Sequence, residues 1–370
     1  MFWSDTMFKI IKAITGAIFA FVLMFLTVIV YLNALRVMDF RTQRTHIRSL
    51  DAFYEDYETL DESVYTSFIM NSDLRLNEVR FIASHNSYKK NVPSIGFIAI
   101  GLGENFDEAR SLRYETNTLT EQLIAGIRSF EFDIRYRQGN YEMVHVPLVD
   151  HRSHAIDFQL ALEEVRRYSE NHPNHLPITL LIEIKDDWMI LDPFLDDYDE
   201  AAFDVLDNII EVTLNEHLFR PSDMLNDDTL RDTIINDGWP TVEALLGKII
   251  VIKHPSQYTT MYVERDESLM TLSMFPGVYA NHVDKEYASF VVNNSPDVEI
   301  IRELVDQGFI VRTRSDANLE IDLERMQNAL ESGAQIITTD YFPNHNFINE
   351  NHVVTFEDGY TIDLNPILEP

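Results

Sequence analysis

VRFIASHNSY at residues 79–88 and GIRSFEFDIRY at residues 126–136 are two apolar segments that each end in residues able to bind a metal or move protons. Side chains alternate between the two faces of a strand, so Glu131 and Asp133 lie on the same face. Two carboxylates on one face can hold one hard cation through their oxygens. The two segments therefore predict a catalytic site at the ends of strands.

Two further runs extend this candidate site. EMVHVP carries His145, and the apolar run ITLLIEIKD places Glu183 and Lys185 on one strand face. His85 and Asn86 follow the first strand. A cation held by an amide and three carboxylates has only oxygen ligands, which suits calcium or magnesium and not zinc. The predicted metal ligands are Asn86, Glu131, Asp133 and Glu183.

These residue types fit the cleavage of a phosphodiester. That reaction needs neutralisation of the phosphate charge, a base for the attacking hydroxyl and an acid for the leaving oxygen. His85 and His145 are the candidate catalytic residues, donating to the phosphoryl oxygens and to the leaving oxygen. The base is either a metal-bound carboxylate or a histidine, and the sequence leaves both open.

The pattern after residue 79 alternates short apolar runs with helical stretches. Alternation of this kind predicts a parallel sheet, and the number of strands favours a (β/α)8 TIM-type barrel over residues 79–345. Seven strands are clear in the sequence. The eighth is either the Tyr141–His145 arm or a strand near Phe290–Asn293. Residues 190–240 are predicted as an acidic helical insertion, and residues 346–370 as a C-terminal extension.

A long uncharged segment precedes the barrel. Ala13–Leu35 carries no charged residue over 23 positions, enough for an uncleaved transmembrane helix after a short tail at residues 1–12. Residues 36–78 are predicted as a helical stalk that packs on the barrel. Two lysines precede the span and four arginines follow it, so the positive-inside rule leans towards a cytoplasmic barrel.

Composition excludes several classes of function. The chain of 370 residues has a formal net charge of -32, which argues against nucleic acid as a partner because a phosphate-tracking surface needs clustered lysine and arginine. The absence of cysteine excludes disulfides, zinc–thiolate sites and thiol catalysis. The oligomeric state is not indicated.

The order of these motifs resembles a known family. SHNSY, EFD, VH and IEIKD, followed by GWPTVEALLGKIIVIKH, GFIVRTRSDAN and ALESGAQIITTDY, look like the bacterial and fungal branch of the calcium-dependent phosphoinositide-specific phospholipase C family. Each motif alone is common by chance. Their order and spacing from Val79 to Pro343 make the resemblance specific.

The resemblance implies a calcium-dependent phosphodiesterase that releases diacylglycerol and forms inositol 1,2-cyclic phosphate from phosphatidylinositol-type lipid. It decides for calcium as the cofactor, and it favours a barrel outside the cytoplasm on its membrane anchor, against the charge rule. Four basic residues near strand ends are candidates for substrate binding: Lys185, Lys253, Arg312 and Arg314.

Two alternatives remain open at this point. One is a glycerophosphodiester phosphodiesterase-like hydrolase, whose sites also combine two histidines with an E-x-D pattern. The other is a non-catalytic, membrane-tethered barrel that binds lipid. Individual residues also have structural interpretations: Lys185 can pair with the carboxylates, and Arg312 and Arg314 can hold Asp340 in place.

Overall fold

A computed structural model describes residues 2–57, 73–225, 228–345 and 351–368. The helices are α1 (Phe2–Asp56), α2 (Ser94–Gly103), α3 (Phe106–Ser111), α4 (Leu119–Ile124), α5 (Phe158–Asn171), α6 (Glu200–Leu214), α7 (Leu230–Asn236), α8 (Thr259–Glu264), α9 (Val298–Asp306) and α10 (Leu323–Glu331). The strands are β1 (Val79–Ser84), β2 (Ser129–Arg137), β3 (Asn140–Met143), β4 (Ile178–Ile184), β5 (Leu218–Phe219), β6 (Ile249–Lys253), β7 (Phe275–Pro276), β8 (Val278–Tyr279), β9 (Phe290–Val292), β10 (Ile310–Arg314), β11 (Ile336–Thr339) and β12 (Ile362–Leu364).

The parallel strands close into a barrel in chain order. β1 pairs with β2, β2 with β4, and β4 with β6. On the other side β9 pairs with β10, β10 with β11, and β11 with β1. β7 pairs with β6, and β8 pairs with β9, so together these two short strands fill the remaining position. The predicted (β/α)8 TIM-type barrel is confirmed.

Gly277 makes the join between β7 and β8 possible. A Cβ atom at this position would lie 2.7 Å from the carbonyl oxygen of Lys253, closer than such atoms approach. The eighth strand is the predicted segment near Phe290–Asn293, because β9 takes a parallel place in the ring. The Tyr141–His145 arm contains β3 instead, which forms an antiparallel hairpin with β2.

The barrel strands are buried on both faces. Every residue of β1 and of β6 is buried. Strands of parallel sheets have this property because helices cover one face and the barrel interior the other. Such strands appear in the sequence as continuous apolar runs, so the pattern does not show which face is the interior.

Aspartates begin several of the surrounding helices. The side chains of Asp157, Asp199, Asp297 and Asp322 each accept a hydrogen bond from a backbone N–H in the first turn of α5, α6, α9 and α10. A carboxylate here satisfies an otherwise unpaired donor and complements the helix dipole. Part of the acidic excess of the chain is therefore structural.

The N-terminal helix α1 is continuous through the apolar segment and beyond it. Thr6–Glu55 is long and apolar enough to cross a membrane, and its most apolar window, with mean hydropathy 2.6, is not buried against any other part of the chain that the structure describes. The stalk predicted from residue 36 begins as a direct continuation of this helix. Residues 58–72 of that prediction lie outside the described part.

The segment predicted as an acidic insertion is part of the barrel. It supplies the crossover from β4 to β6, and α6 buries Phe203, Leu206 and Ile210 in the core. The prediction of residues 190–240 as a solvated insertion is therefore wrong for α6, in which most charged positions are outside the core but Asp207 is buried. Near the C-terminus, β12 pairs antiparallel with β1 and joins the same sheet.

Candidate active site

A cleft opens at the C-terminal ends of the barrel strands, the end at which TIM barrels carry their active sites. The side chains lining it include His85, Asn86, Tyr114, Glu131, His145, Glu183, Lys185, His254, Tyr279, Asn294, Arg312, Arg314 and Asp340.

Three carboxylates meet in this cleft. Glu131, Asp133 and Glu183 each offer one oxygen, and these oxygens lie within 4.8 Å of one another. The pairing of β2 with β4 sets Asp133 beside Glu183, and strand alternation puts Glu131 on the same face. Glu131 and Asp133 are almost completely buried. Their mutual repulsion would be costly there without cations nearby.

Two basic side chains supply part of that positive charge. Lys185 Nζ donates to Glu183 at 2.7 Å and lies 3.8 Å from Asp133 Oδ1, and Arg312 forms an ion pair with Glu131. Burial opposes ionisation of all three carboxyls. Even so, Arg312 lowers the pKa of Glu131 to about 2, and Lys185 lowers the pKa of Glu183 to about 2. At Asp133 burial prevails and raises the pKa to about 6.

The donors around these carboxylates fit a calcium ion. Asp133 Oδ1 is buried without a hydrogen-bond partner among the described residues, whereas its other oxygen accepts from the Tyr88 hydroxyl at 2.9 Å. Asn86 donates its Nδ2 to the Tyr114 hydroxyl at 2.8 Å, so its amide oxygen is the atom that a cation would use. Every donor in the set is an oxygen, as calcium prefers.

His85 lies in a dense group of charges. Its Nδ1–H donates to Asp340 Oδ1 at 2.7 Å, and its Nε2 accepts from Arg314 Nη1 at 3.2 Å. The same Nε2 lies 4.0 Å from Glu131 Oε1. Burial, reinforced by the charge of Arg314, lowers the pKa of His85 well below its usual value. The ring is therefore held neutral, in one tautomer and one orientation.

His145 has a simpler environment. Its Nδ1–H donates to Asp150 Oδ2 at 2.9 Å, and the other oxygen of Asp150 accepts from Lys89 Nζ at 2.8 Å. Burial opposes ionisation of Asp150, yet Lys89 and His145 lower its pKa below the usual value. A permanent anion thus fixes the His145 tautomer and leaves Nε2 as the ring nitrogen not engaged by Asp150.

The structure brings all but one of the predicted site residues to the cleft or to the carboxylates at its floor. The exception is Lys253, whose Nζ donates to Ser256 Oγ and to Thr259 Oγ1, both at 3.1 Å, on the helix side of β6. Alternation along β6 places the next residue, His254, in the cleft instead. Burial lowers the pKa of Lys253 to about 7. The prediction was one residue out of phase.

Several residues of the site were missed or left undecided by sequence reasoning. Asp150 and Asp340, which orient the two histidines, carry no local signal because their partners are set by the fold. Tyr279, the last residue of β8, and Asn294, which lies just after β9, were not identified either. His254 also lines the cleft.

Comparison with known families adds to this geometry. A family model described as phosphoinositide phospholipase C, Ca2+-dependent, matches residues 74–143 and 135–366, which is most of the chain. A search among curated proteins finds no match.

Solved structures share the fold. The calcium-dependent phosphoinositol-specific phospholipase C of a Pseudomonas species aligns with a TM-score of 0.57 at 16% identity, covering 79% of this chain and 96% of that chain. The same values apply to its myo-inositol complex. A Ca2+-dependent phosphatidylinositol-specific phospholipase C from Streptomyces antibioticus aligns with a TM-score of 0.54 at 16% identity, covering 73% of this chain and 96% of that one.

Proposed function

The chain belongs to the calcium-dependent phosphoinositide phospholipase C family, and from this membership we propose that it cleaves phosphatidylinositol-type lipids to diacylglycerol and inositol 1,2-cyclic phosphate. The observation that carries the proposal is the carboxylate trio, with oxygens within 4.8 Å of one another, in a cleft that also holds two oriented histidines. The myo-inositol complex of the Pseudomonas enzyme supports an inositol-containing substrate.

In the proposed reaction the inositol 2-hydroxyl oxygen attacks phosphorus and the bond from phosphorus to the diacylglycerol oxygen breaks. One proton leaves the 2-hydroxyl and one is delivered to the departing oxygen. The phosphate carries a negative charge throughout, so groups that neutralise it and hold the attacking oxygen in line contribute most to the rate.

We assign protonation of the departing oxygen to His145 Nε2. Asp150 is an anion hydrogen-bonded to Nδ1–H, so it orients the ring of the proposed general acid and leaves Nε2 for the departing oxygen. Arg314 is assigned to the phosphoryl oxygens, because the only N–H of neutral His85 is engaged by Asp340. The acceptor of the 2-hydroxyl proton is either Glu131 or His85, whose nearest atoms are 4.0 Å apart.

The remaining cleft cations are proposed to bind substrate. Lys185 already lies against two carboxylates of the site, and we assign its ammonium group to the phosphate. Arg312 is tied to Glu131 and to Asn294. Its guanidinium has a fixed orientation, which suits hydrogen bonding to phosphate or to inositol hydroxyls.

Calcium is the proposed cofactor, with Asn86, Glu131, Asp133 and Glu183 as ligands. When bound, it would neutralise phosphate charge and favour ionisation of the 2-hydroxyl. The cluster of three carboxylates and two cations carries a net negative charge when all five groups are ionised, so a divalent cation would compensate it. The protein side chains supply the proton transfers.

We further propose that residues 13–35 of α1 anchor the protein in a membrane and that the barrel lies outside the cytoplasm. The long apolar helix supports the anchor. The extracytoplasmic side is chosen because a calcium site of modest affinity is filled more readily where calcium is abundant.

The test is phosphorus NMR of the full chain in mixed micelles containing phosphatidylinositol, first with calcium and then with chelator. Calcium-dependent formation of inositol 1,2-cyclic phosphate is the expected result. The control is a His85→Gln/His145→Gln variant with unchanged circular dichroism, which should form no inositol 1,2-cyclic phosphate. Absence of any cyclic product from the folded, calcium-loaded protein would overturn the proposal, and hydrolysis of a glycerophosphodiester instead would replace it.

A further inference from the structure

The docked face of α1 carries buried side chains at helical spacing. Leu32, Asp39, Gln43, Ile47 and Leu50 are each less than 5% exposed. These positions recur every three, four or seven residues, so they form one stripe along the helix. Before residue 28 every described side chain of α1 is exposed. The helix therefore has an undocked half followed by a half that lies against the barrel.

The polar contacts of this stripe follow the barrel from one end to the other. Asp39 accepts from Arg152 Nε at 2.6 Å, just beyond β3. Gln43 exchanges two hydrogen bonds with the backbone of Asp157, at the start of α5. Further along, His46 contacts Glu164 at 2.9 Å within α5. α1 therefore runs beside α5 in the same direction.

This direction fixes which end of the barrel lies near the undocked half. The helix that follows a barrel strand starts at the C-terminal strand ends and runs back towards the N-terminal ends. α5 follows β2 and β3 in this way, so the first docked residues of α1 lie at the catalytic end. Leu32 and Leu50 are 18 residues apart, or about 27 Å along the helix axis. Leu50 lies towards the closed end of the barrel, which is the end opposite the catalytic cleft.

We propose that the catalytic cleft faces the bilayer that α1 spans, so that the protein takes lipid in cis, from the leaflet next to its own barrel. This inference rests on the proposed function. The undocked half of α1 projects from the end of the barrel at which the cleft opens. A helix without a break between its two halves keeps the cleft turned to the membrane surface.

Exposed apolar side chains stand on the same end. Ile98 and Leu102 lie on α2, which follows β1 and has no charged residue, and Trp188, Ile190 and Phe194 follow β4. We call these five side chains the apolar rim. Ile190 is 90% exposed and Leu102 75%. Exposed apolar side chains are stabilised when they enter the boundary between the lipid headgroups and the acyl chains.

The apolar rim is continuous with the anchoring helix. Phe194 and its neighbour Leu191 line one cleft together with Ile29 and Leu32 of α1. The rim and the point at which α1 leaves the barrel thus form one surface. A second copy of the chain or a soluble protein has no such continuous connection, which is why the structure favours the bilayer as the occupant.

The contact between α1 and the barrel is also rigid. Asp39 is 1% exposed and accepts from both Arg152 and Lys90, whose Nζ lies 3.1 Å away. Breaking such a buried group of charges leaves an unpaired ion, so the arrangement resists opening. The barrel therefore has little freedom to swing away from its own membrane and reach another.

A vesicle assay distinguishes cleavage of lipid in the protein's own membrane from cleavage of lipid in a separate membrane. The full chain is reconstituted either in vesicles containing phosphatidylinositol or in phosphatidylcholine vesicles mixed with separate phosphatidylinositol vesicles. At equal total lipid we expect turnover to be at least tenfold faster in the first arrangement. Equal rates in the two arrangements would overturn the proposal.

Rim variants test the surface itself. Leu102→Asp/Ile190→Asp should lower turnover in the first arrangement about tenfold and leave cleavage of monomeric short-chain phosphatidylinositol unchanged. Val212→Asp is the matched control: Val212 is 67% exposed near the end of α6, at the closed end of the barrel, and should have no effect. Rim variants with unchanged turnover in vesicles would also overturn the proposal.

A readout independent of turnover uses Trp188. Its fluorescence, taken as the difference from Trp188→Phe, should be quenched by lipids brominated near the headgroup, and lack of quenching counts against the rim. Cleavage of the short-chain substrate isolates the proposed function: if it fails, the enzyme assignment falls, whereas a failure in vesicles or in quenching alone overturns only the orientation.

Discussion

The two histidines of the cleft are held by aspartates in opposite electrostatic states. Asp150 beside His145 is completely buried against Lys89, and its pKa is lowered. Asp340 beside His85 is also buried, but desolvation raises its pKa despite the nearby Arg314. His145 therefore has a permanent anion as its partner, whereas His85 belongs to a network of charged groups that includes Asp340 and Arg314. The difference supports the proposed division of roles, in which His145 and not His85 protonates the departing oxygen.

The largest effect should come from removing either ring. His85→Gln and His145→Gln should each lower kcat by roughly 10²–10⁴-fold, the range attributed to general acid–base groups. A substrate with a better leaving group than diacylglycerol should restore much of the rate in His145→Gln but not in His85→Gln, because only His145 protonates that oxygen. Steady-state kinetics on both substrates checks this, and equal rescue of the two variants would contradict the assignment.

The next largest effect is the loss of folding stability when either aspartate is replaced. Asp150→Asn leaves Lys89 buried without an anion, which should cost about 3–5 kcal/mol. Asp340→Asn should cost less, because Arg314 keeps Asp316 at 3.8 Å. Thermal unfolding of both variants in the presence of chelator measures the difference.

A double variant provides the control for this comparison. Lys89→Met/Asp150→Asn removes both charges, so most of the lost stability should return while turnover stays low, since His145 still lacks its carboxylate. Equal unfolding temperatures for Asp150→Asn and Asp340→Asn would show that the two environments do not differ as described.

The carboxylate next to His85 gives a smaller expected change. Glu131→Gln should lower calcium affinity and kcat together, by at least the roughly 10–100-fold that loss of an outer-shell partner costs. Calcium titration of turnover and calorimetry measure the two quantities. Glu299→Gln, an exposed carboxylate on α9, is the control. Unchanged calcium dependence in the Glu131 variant would remove this residue from the metal site.

The smallest effect concerns a histidine outside the cleft. Burial lowers the pKa of His175 to about 3, and the ring contacts Ser169 Oγ at 2.8 Å and Leu176 O at 2.6 Å. Because the folded-state pKa lies below the unfolded value of about 6.5, the unfolded state binds more protons between these values. Stability should therefore fall as the pH falls below about 6.5.

Acidification from pH 7 to 5.5 should cost on the order of 1 kcal/mol through His175 alone. His175→Asn should be less stable at pH 7 and should show a shallower loss on acidification. Urea unfolding at several pH values gives the slope directly, and an unchanged slope would exclude His175 as its source.

The sequence predicted the barrel because strand and helix signals alternate in it, but it did not predict the phase of every strand. β2 carries charged residues at alternate positions, and Glu183 near the end of β4 is followed two positions later by Lys185, so Glu131, Asp133 and Glu183 could be placed on one face. β6 is apolar on both faces, and Lys253 was assigned to the wrong one. Phase is visible in a sequence only where one face differs chemically from the other.

Groups that act through another residue were also beyond sequence reasoning. Asp340 is 255 positions from its partner His85, and only the pairing of β1 with β11 brings the two together. Asp150 is close to His145 in sequence, yet its role depends on burial against Lys89. Contacts of this kind come from tertiary structure, and a local pattern does not encode them.

The two short strands on either side of Gly277 give the barrel a seam. β7 and β8 each pair over two positions, whereas β2 and β4 pair over six, and Pro276 has no N–H to donate. Local opening in proteins begins where few buried hydrogen bonds must break. Amide hydrogen exchange should therefore be faster at Val278 and Tyr279 than in β2. Tyr279 lines the cleft, so the part of the ring that opens most readily is also part of the wall around the substrate.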